Sequence, residues 1–118
     1  MKYLCLIYID EKKLEALPKS EGDALMEETT AYNEMLQQRG HHISAAGLKP
    51  VQMATTLRLR RGKLSVTDGP FAETKEVLGG FYAIEAKDLD EAIQWASQSP
   101  SLRIGSLEVR PIEELIQS

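Results

Sequence analysis

Asp68, Glu73, Lys75 and Glu76 are four ionisable side chains held close together by the stretch Thr67-Asp68-Gly69-Pro70-Phe71-Ala72-Glu73-Thr74-Lys75-Glu76. At a pocket mouth such a set suits proton transfer on a small polar molecule. Asp68 or Glu73 would act as acid or base, and Lys75 would hold an anion. Phe71, Arg58 and Tyr82 complete the candidate ligand contacts, Arg58 because a guanidinium offers a fork of donors. The competing reading is purely structural. Gly69 tolerates positive φ, Pro70 fixes its own φ, and Asp68 can fold its carboxylate onto a backbone N–H of the same turn. No histidine or metal partner stands beside either carboxylate in the sequence.

The elements that must position this stretch are short and alternating. Lys2 to Ile9 is a nearly continuous apolar run that suits a central strand. Asp10 to Lys19 reads as a polar link. Ser20 offers an N-cap for a helix to about Arg39, with Leu25, Thr29, Tyr32, Met35 and Leu36 on one stripe and Gly40 as the stop. A second strand spans His41 to Gly47.

Thr55 to Thr67 reads as a hairpin turning at Arg61-Gly62. In that register Leu59 faces Leu64 and Leu57 faces Val66, while Arg58 meets Ser65 and Thr56 meets Thr67. Val77-Leu78-Gly79-Gly80 leads into a strand over Phe81 to Ala86. Asp88 and Glu91 form a capping box for a helix whose stripe is Leu89, Ala92, Ile93 and Ala96, with Trp95 off its centre. Ser99-Pro100-Ser101 ends that helix. Ser106 to Arg110 is a last strand, followed by a turn through Ile112 and Leu115.

Composition narrows the function. The 118 residues are 42% hydrophobic and 27% charged, with a formal net charge of -4, which disfavours a general nucleic-acid surface. The single cysteine, Cys5, lies inside the first apolar run and reads as a buried small hydrophobe. That run is too short to span a membrane or serve as a secretion signal, so a cytoplasmic protein is expected. His41 and His42 point to opposite faces of a strand and cannot chelate one metal together. No metal or cofactor is expected.

The order strand–helix–strand, hairpin, strand–helix–strand is an α+β, ferredoxin-like βαββαβ frame with an extra β-hairpin, one domain over residues 1–118. Two helices cover one face of such a sheet. The other face, carrying strands this apolar, calls for a second copy.

The stretch from Asp68 to Glu76, followed by Leu78-Gly79-Gly80-Phe81-Tyr82, resembles the signature of the DGPF-domain family within the YCII-related superfamily. Gly47-Leu48-Lys49-Pro50, Asp88-Leu89-Asp90-Glu91-Ala92 and Gly105-Ser106-Leu107-Glu108-Val109-Arg110-Pro111 fit in the same order. The resemblance implies a homodimer of the dimeric α/β barrel kind and, through family association, a sigma-factor-type partner in transcription. It implies no agreed activity. The wider superfamily pairs a histidine on the first helix with an aspartate near the end of the second. Here Thr29 or Thr30 and Ser99 fall at those positions, and Ile104 stands where many relatives have histidine before the late glycine. The superfamily acid/base pair therefore does not carry over.

The favoured reading is a homodimeric binding or regulatory module taking a small polar ligand in the groove beside the signature loop. The alternatives are a small cofactor-free isomerase- or lyase-like enzyme using Asp68 or Glu73, and a structural dimer with no pocket.

Overall fold

The computed structural model describes residues 1–114. Four antiparallel strands form the central sheet: β1 (Lys2–Ile9), β2 (His42–Gly47), β5 (Val77–Glu85) and β6 (Gly105–Pro111), in the order β2-β5-β1-β6. Helices α2 (Lys19–Gln38) and α3 (Leu89–Ala96) provide the two crossovers, so the frame is ferredoxin-like. Strands β3 (Thr55–Arg60) and β4 (Lys63–Asp68) pair only with each other, as a separate two-stranded sheet.

Strand alternation decides what is covered. Tyr3 and Cys5 of β1 and Tyr82 and Ile84 of β5 face the helices and meet Tyr32 and Leu36 of α2 and Ala92 and Ala96 of α3 in the core. Leu4, Leu6 and Tyr8 alternate to the opposite face, with Phe81 paired to Leu6. Of the described helices, only a single 3-10 turn, Val51–Met53, stands on that side, beside Tyr8.

The hairpin has the register its apolar pattern dictates: Leu59 pairs with Leu64, Leu57 with Val66, Arg58 with Ser65 and Thr56 with Thr67. Arg61 and Gly62 both have positive φ (50° and 75°), the requirement of a tight two-residue hairpin turn.

Other boundaries shift. The expected link contains a short helix, α1 (Glu11–Ala16), capped by Asp10, whose carboxylate accepts from the Lys12 and Lys13 N–H groups at 3.0 and 3.3 Å. Helix α2 starts one residue before the expected cap, directly after Pro18, and Ser20 lies within its first turn. Pro18 suits this entry because its carbonyl takes the N–H groups of Glu21 and Gly22. Strand β5 begins at Val77, so the two glycines expected to lead into the strand lie within it. The β1–β5 pairing skips Gly79 as a bulge, and a Cβ on Gly80 would come 2.9 Å from the Ala46 carbonyl oxygen. On α3, Leu89 and Ile93 are nearly half exposed, and Ala92 and Ala96 make the close contact instead. The expected turn at Leu115 lies outside the described residues.

Candidate functional site

Helix α2 and the helix-facing side of the sheet flank an open cavity of about 510 Å³. Ile7 and Ile9 of β1, Leu25 and Met26 of α2, and Ile104 supply its apolar wall. Thr29, Thr30 and Asn33 line it from α2, Tyr82 from β5, and Ser99 and Ser101 from the segment after α3. No aspartate, glutamate, lysine, arginine or histidine lines it among the described residues.

Its polar groups are held by local bonds. Thr29 Oγ1 donates to the Leu25 carbonyl at 2.8 Å, and Ser99 Oγ accepts from the Ser101 N–H at 3.4 Å. Asn33 Nδ2 donates to the Thr29 carbonyl at 3.1 Å, which fixes the amide orientation. Its Oδ1 is then buried without a partner among the described residues. Such an orphaned acceptor is uncommon in folded proteins.

Beneath the cavity the two tyrosines form a relay. Tyr32 Oη donates to the Trp95 carbonyl at 2.8 Å. A hydroxyl has one proton, so at the 2.9 Å contact between the two hydroxyls Tyr82 must be the donor. Burial pushes the Tyr32 phenol up to about 12 and the Cys5 thiol up to about 11, and raises Tyr82 beyond the ordinary phenol range. No group around the cavity exchanges a proton near neutrality.

The residues singled out from the sequence do not share one site. Tyr82 is 3% exposed and faces the helices, whereas Phe71 is 78% exposed on the opposite side. Tyr82 pairs with Cys5 on the helix side, and the bulge at Gly79 puts Leu78, which borders the same trough as Phe71, opposite Tyr8 on the other side, so Tyr82 does not share a groove with Phe71. Arg58 and Phe71 do meet. Arg58 Nη2 donates to the Phe71 carbonyl at 3.1 Å, and its guanidinium lies 5.3 Å from the ring centroid.

Phe71 borders an apolar trough of about 800 Å³ with Tyr8, Leu48, Met53, Leu57 and Leu78. Glu73 and Lys75 border another concavity, of about 670 Å³, beside Asp10 and Lys12. Asp68 lines none of these concavities and makes no side-chain hydrogen bond among the described residues. The turn is tied by backbone and by Thr56 instead: the Gly69 N–H donates to the Ala54 carbonyl, and Thr56 Oγ1 donates to the Gly69 carbonyl, both at 2.8 Å. Gly69 has φ of 110°, so the glycine is required there.

His41 precedes β2, with Nδ1 2.8 Å from the Glu85 carbonyl and its ring 4.6 Å from that of Trp95. Among the described residues no three His, Cys, Asp or Glu side chains gather in a group able to hold a metal ion. No described helix is long and apolar enough to cross a membrane.

Residues 1–116 match the YCII-related domain. The chain belongs to that family. An uncharacterized protein of Rhizobium meliloti (strain 1021) is 41% identical over 116 residues, covering 95% of this chain and 92% of the relative. In this YCII-related protein Thr29, Thr30 and Ser99 converge on the cavity under α2. These are the positions at which the superfamily resemblance implies a histidine and an aspartate. The resemblance places Thr29 or Thr30 with Ser99, whereas Asn33 and Ser101, which line the same cavity, carry no signal in the sequence.

Proposed function

We propose that this YCII-related protein is a homodimeric binding module whose site is the cavity under α2, and that its ligand is an uncharged small molecule. One observation carries the reading: a hollow of about 510 Å³ built from two crossovers of the fold, lined by hydroxyl and amide groups and by no charged side chain among the described residues. That volume is ordinary for a small-molecule site, where apolar walls supply affinity and a few polar groups supply orientation. An ionised ligand would lose its hydration there without a counter-charge. A ligand N–H or O–H that reached Asn33 Oδ1 would make a bond the protein alone lacks.

The homodimer is supported by the uncovered sheet face with Leu4, Leu6, Tyr8 and Phe81. The signature from Asp68 to Glu76 supports placement in the DGPF subfamily, and with it the sigma-factor association; the short apolar opening run supports a cytoplasmic setting. A reaction driven by Asp68 or Glu73 has less support, since both carboxylates are exposed and neither meets a positioned partner.

A thermal-shift screen with matched sets of neutral and ionised metabolites tests the reading. Neutral compounds should raise the melting temperature. The shift should vanish in Thr29→Trp, which fills the cavity, and survive in Asp68→Ala and Lys75→Ala. Stabilisation by anions alone, lost in Lys75→Ala, would overturn it.

A further inference from the structure

Hydrogen-bond accounting divides the polar lining of the cavity under α2 into two unlike walls. On the α2 side the hydroxyl protons are already spent. Thr29 Oγ1 donates to the Leu25 carbonyl at 2.8 Å and Thr30 Oγ1 to the Met26 carbonyl at 3.0 Å, the back-bonding habit of threonine inside a helix. A hydroxyl has one proton, so both oxygens can only accept from a ligand. Asn33 follows at i+4 from Thr29 and i+3 from Thr30, on the same side of the helix. With one amide proton held by the Thr29 carbonyl at 3.1 Å, it adds Oδ1, a buried acceptor with no partner among the described residues, beside one remaining N–H. Tyr32 and Tyr82, also on the lining, have given their protons to the Trp95 carbonyl and to Tyr32.

The segment after α3 has the opposite character. Ser99 lines the cavity and is 6% exposed, and its Oγ accepts from the Ser101 N–H at 3.4 Å. Its own proton meets no acceptor among the described residues, so this wall can give a hydrogen bond. Buried polar groups left in that state cost free energy until a partner arrives.

Few neutral groups answer both walls. A ketone, ester or ether offers acceptors alone and would leave the α2 oxygens unmet. An alcohol must donate and accept through one atom. A primary carboxamide or ureido group sets N–H donors beside a carbonyl acceptor, one for each wall. We propose that the cavity selects an uncharged ligand with a primary carboxamide or ureido head, its N–H groups toward Thr29 and Asn33 and its carbonyl toward Ser99. An apolar body would lie against Ile7, Leu25 and Ile104. The proposal rests on the binding-module reading above and names the ligand class for that site.

Benzamide and acetophenone test it on the full chain, by chemical-shift titration at neutral pH. The two are nearly the same shape and share a carbonyl on a phenyl ring, but acetophenone has a methyl group where benzamide has its amino group. Acetophenone is the more apolar, so apolar walls alone would favour it. Benzamide should instead bind about tenfold more tightly, the worth of one or two net hydrogen bonds. Thr29→Val keeps the side-chain shape and should cut that preference by more than half, and Thr29→Val/Asn33→Leu should abolish it. Ser99→Ala should weaken both probes alike. Acetophenone bound as tightly as benzamide, with both lost in Thr29→Trp, overturns the head-group selection and leaves the cavity reading standing. A preference that survives Thr29→Val/Asn33→Leu also overturns the selection; should that variant fail to fold, an unchanged preference in Thr29→Val does so alone. Binding of neither probe, or benzoate bound more tightly than benzamide, overturns the selection and the uncharged-ligand reading together.

Discussion

At the scale of single residues, proton accounting along the buried relay makes an asymmetric prediction. Tyr32→Phe leaves the Trp95 carbonyl with only the Gln98 N–H as donor and leaves the Tyr82 hydroxyl buried without its acceptor, whereas Tyr82→Phe leaves the Tyr32–Trp95 bond in place. Urea unfolding should show a loss of about 1–3 kcal/mol for Tyr32→Phe and about 0.5–1.5 kcal/mol for Tyr82→Phe. The opposite order would mean the donor assignment is reversed. Alkaline pH probes the same region. Burial raises Cys5 from its ordinary 9.0 to about 11 and Tyr32 from 10.0 to about 12. A raised folded value means stability is complete below the unfolded value and falls as pH passes through the folded one. The melting temperature should decline from about pH 9 upward, and Cys5→Ser should flatten the part of that decline between 9 and 11. Cys5 was legible as an inert core residue because it sits in an apolar run. The six site candidates were less legible: spacing shows that charges and an aromatic lie close in sequence, but not which side of the sheet each residue takes.

Among the elements, glycine contacts and caps give the sharpest tests. A Cβ on Gly105 would overlap the Tyr8 carbonyl, a backbone group that cannot step aside while β1 and β6 stay paired. A Cβ on Gly79 would meet only the Ile9 side chain, which can rotate. Gly105→Ala should therefore lower the melting temperature far more than Gly79→Ala; equal effects would show that the β1–β6 edge is loosely held. For α3, Asp88 accepts from the Glu91 N–H at 2.9 Å, and Glu91 reaches back to the Lys87 N–H at 3.0 Å. Asp88→Ala should cost about 1 kcal/mol in urea unfolding. The hairpin register was readable because a period of two leaves one arrangement that puts all its aliphatic residues on one face. Helix α1 was missed although Asp10 is an N-cap residue, because six residues give no periodicity to detect. The α3 stripe was misassigned for a tertiary reason. Close packing through Ala92 and Ala96 turns Leu89 and Ile93 outward, and no local pattern reveals which small residues a neighbour will select.

Across the whole molecule, the two faces of the sheet differ in what they hold. The ferredoxin-like frame holds an open cavity on its helix side, lined by no charged side chain among the described residues, and an apolar trough bordered by the hairpin on the other. Under the proposed function, the ligand site lies on the helix side of the sheet, and the signature loop lies on the other side with Tyr8 and Leu78. The frame itself was legible from the order of periodic segments. The cavity was not, because it depends on how far α2 stands from β1, which side-chain volumes set jointly. The most direct test of a charge-free site is the pH dependence of binding an uncharged fluorescent dye such as Nile red, measured by fluorescence titration in wild type and Thr29→Trp. Affinity should stay constant from about pH 6 to pH 8, since no cavity group titrates there, and should be lost in the cavity-filled variant. Dye binding that changes steeply with a midpoint near neutrality, or that persists in Thr29→Trp and disappears in Lys75→Ala, would contradict the account.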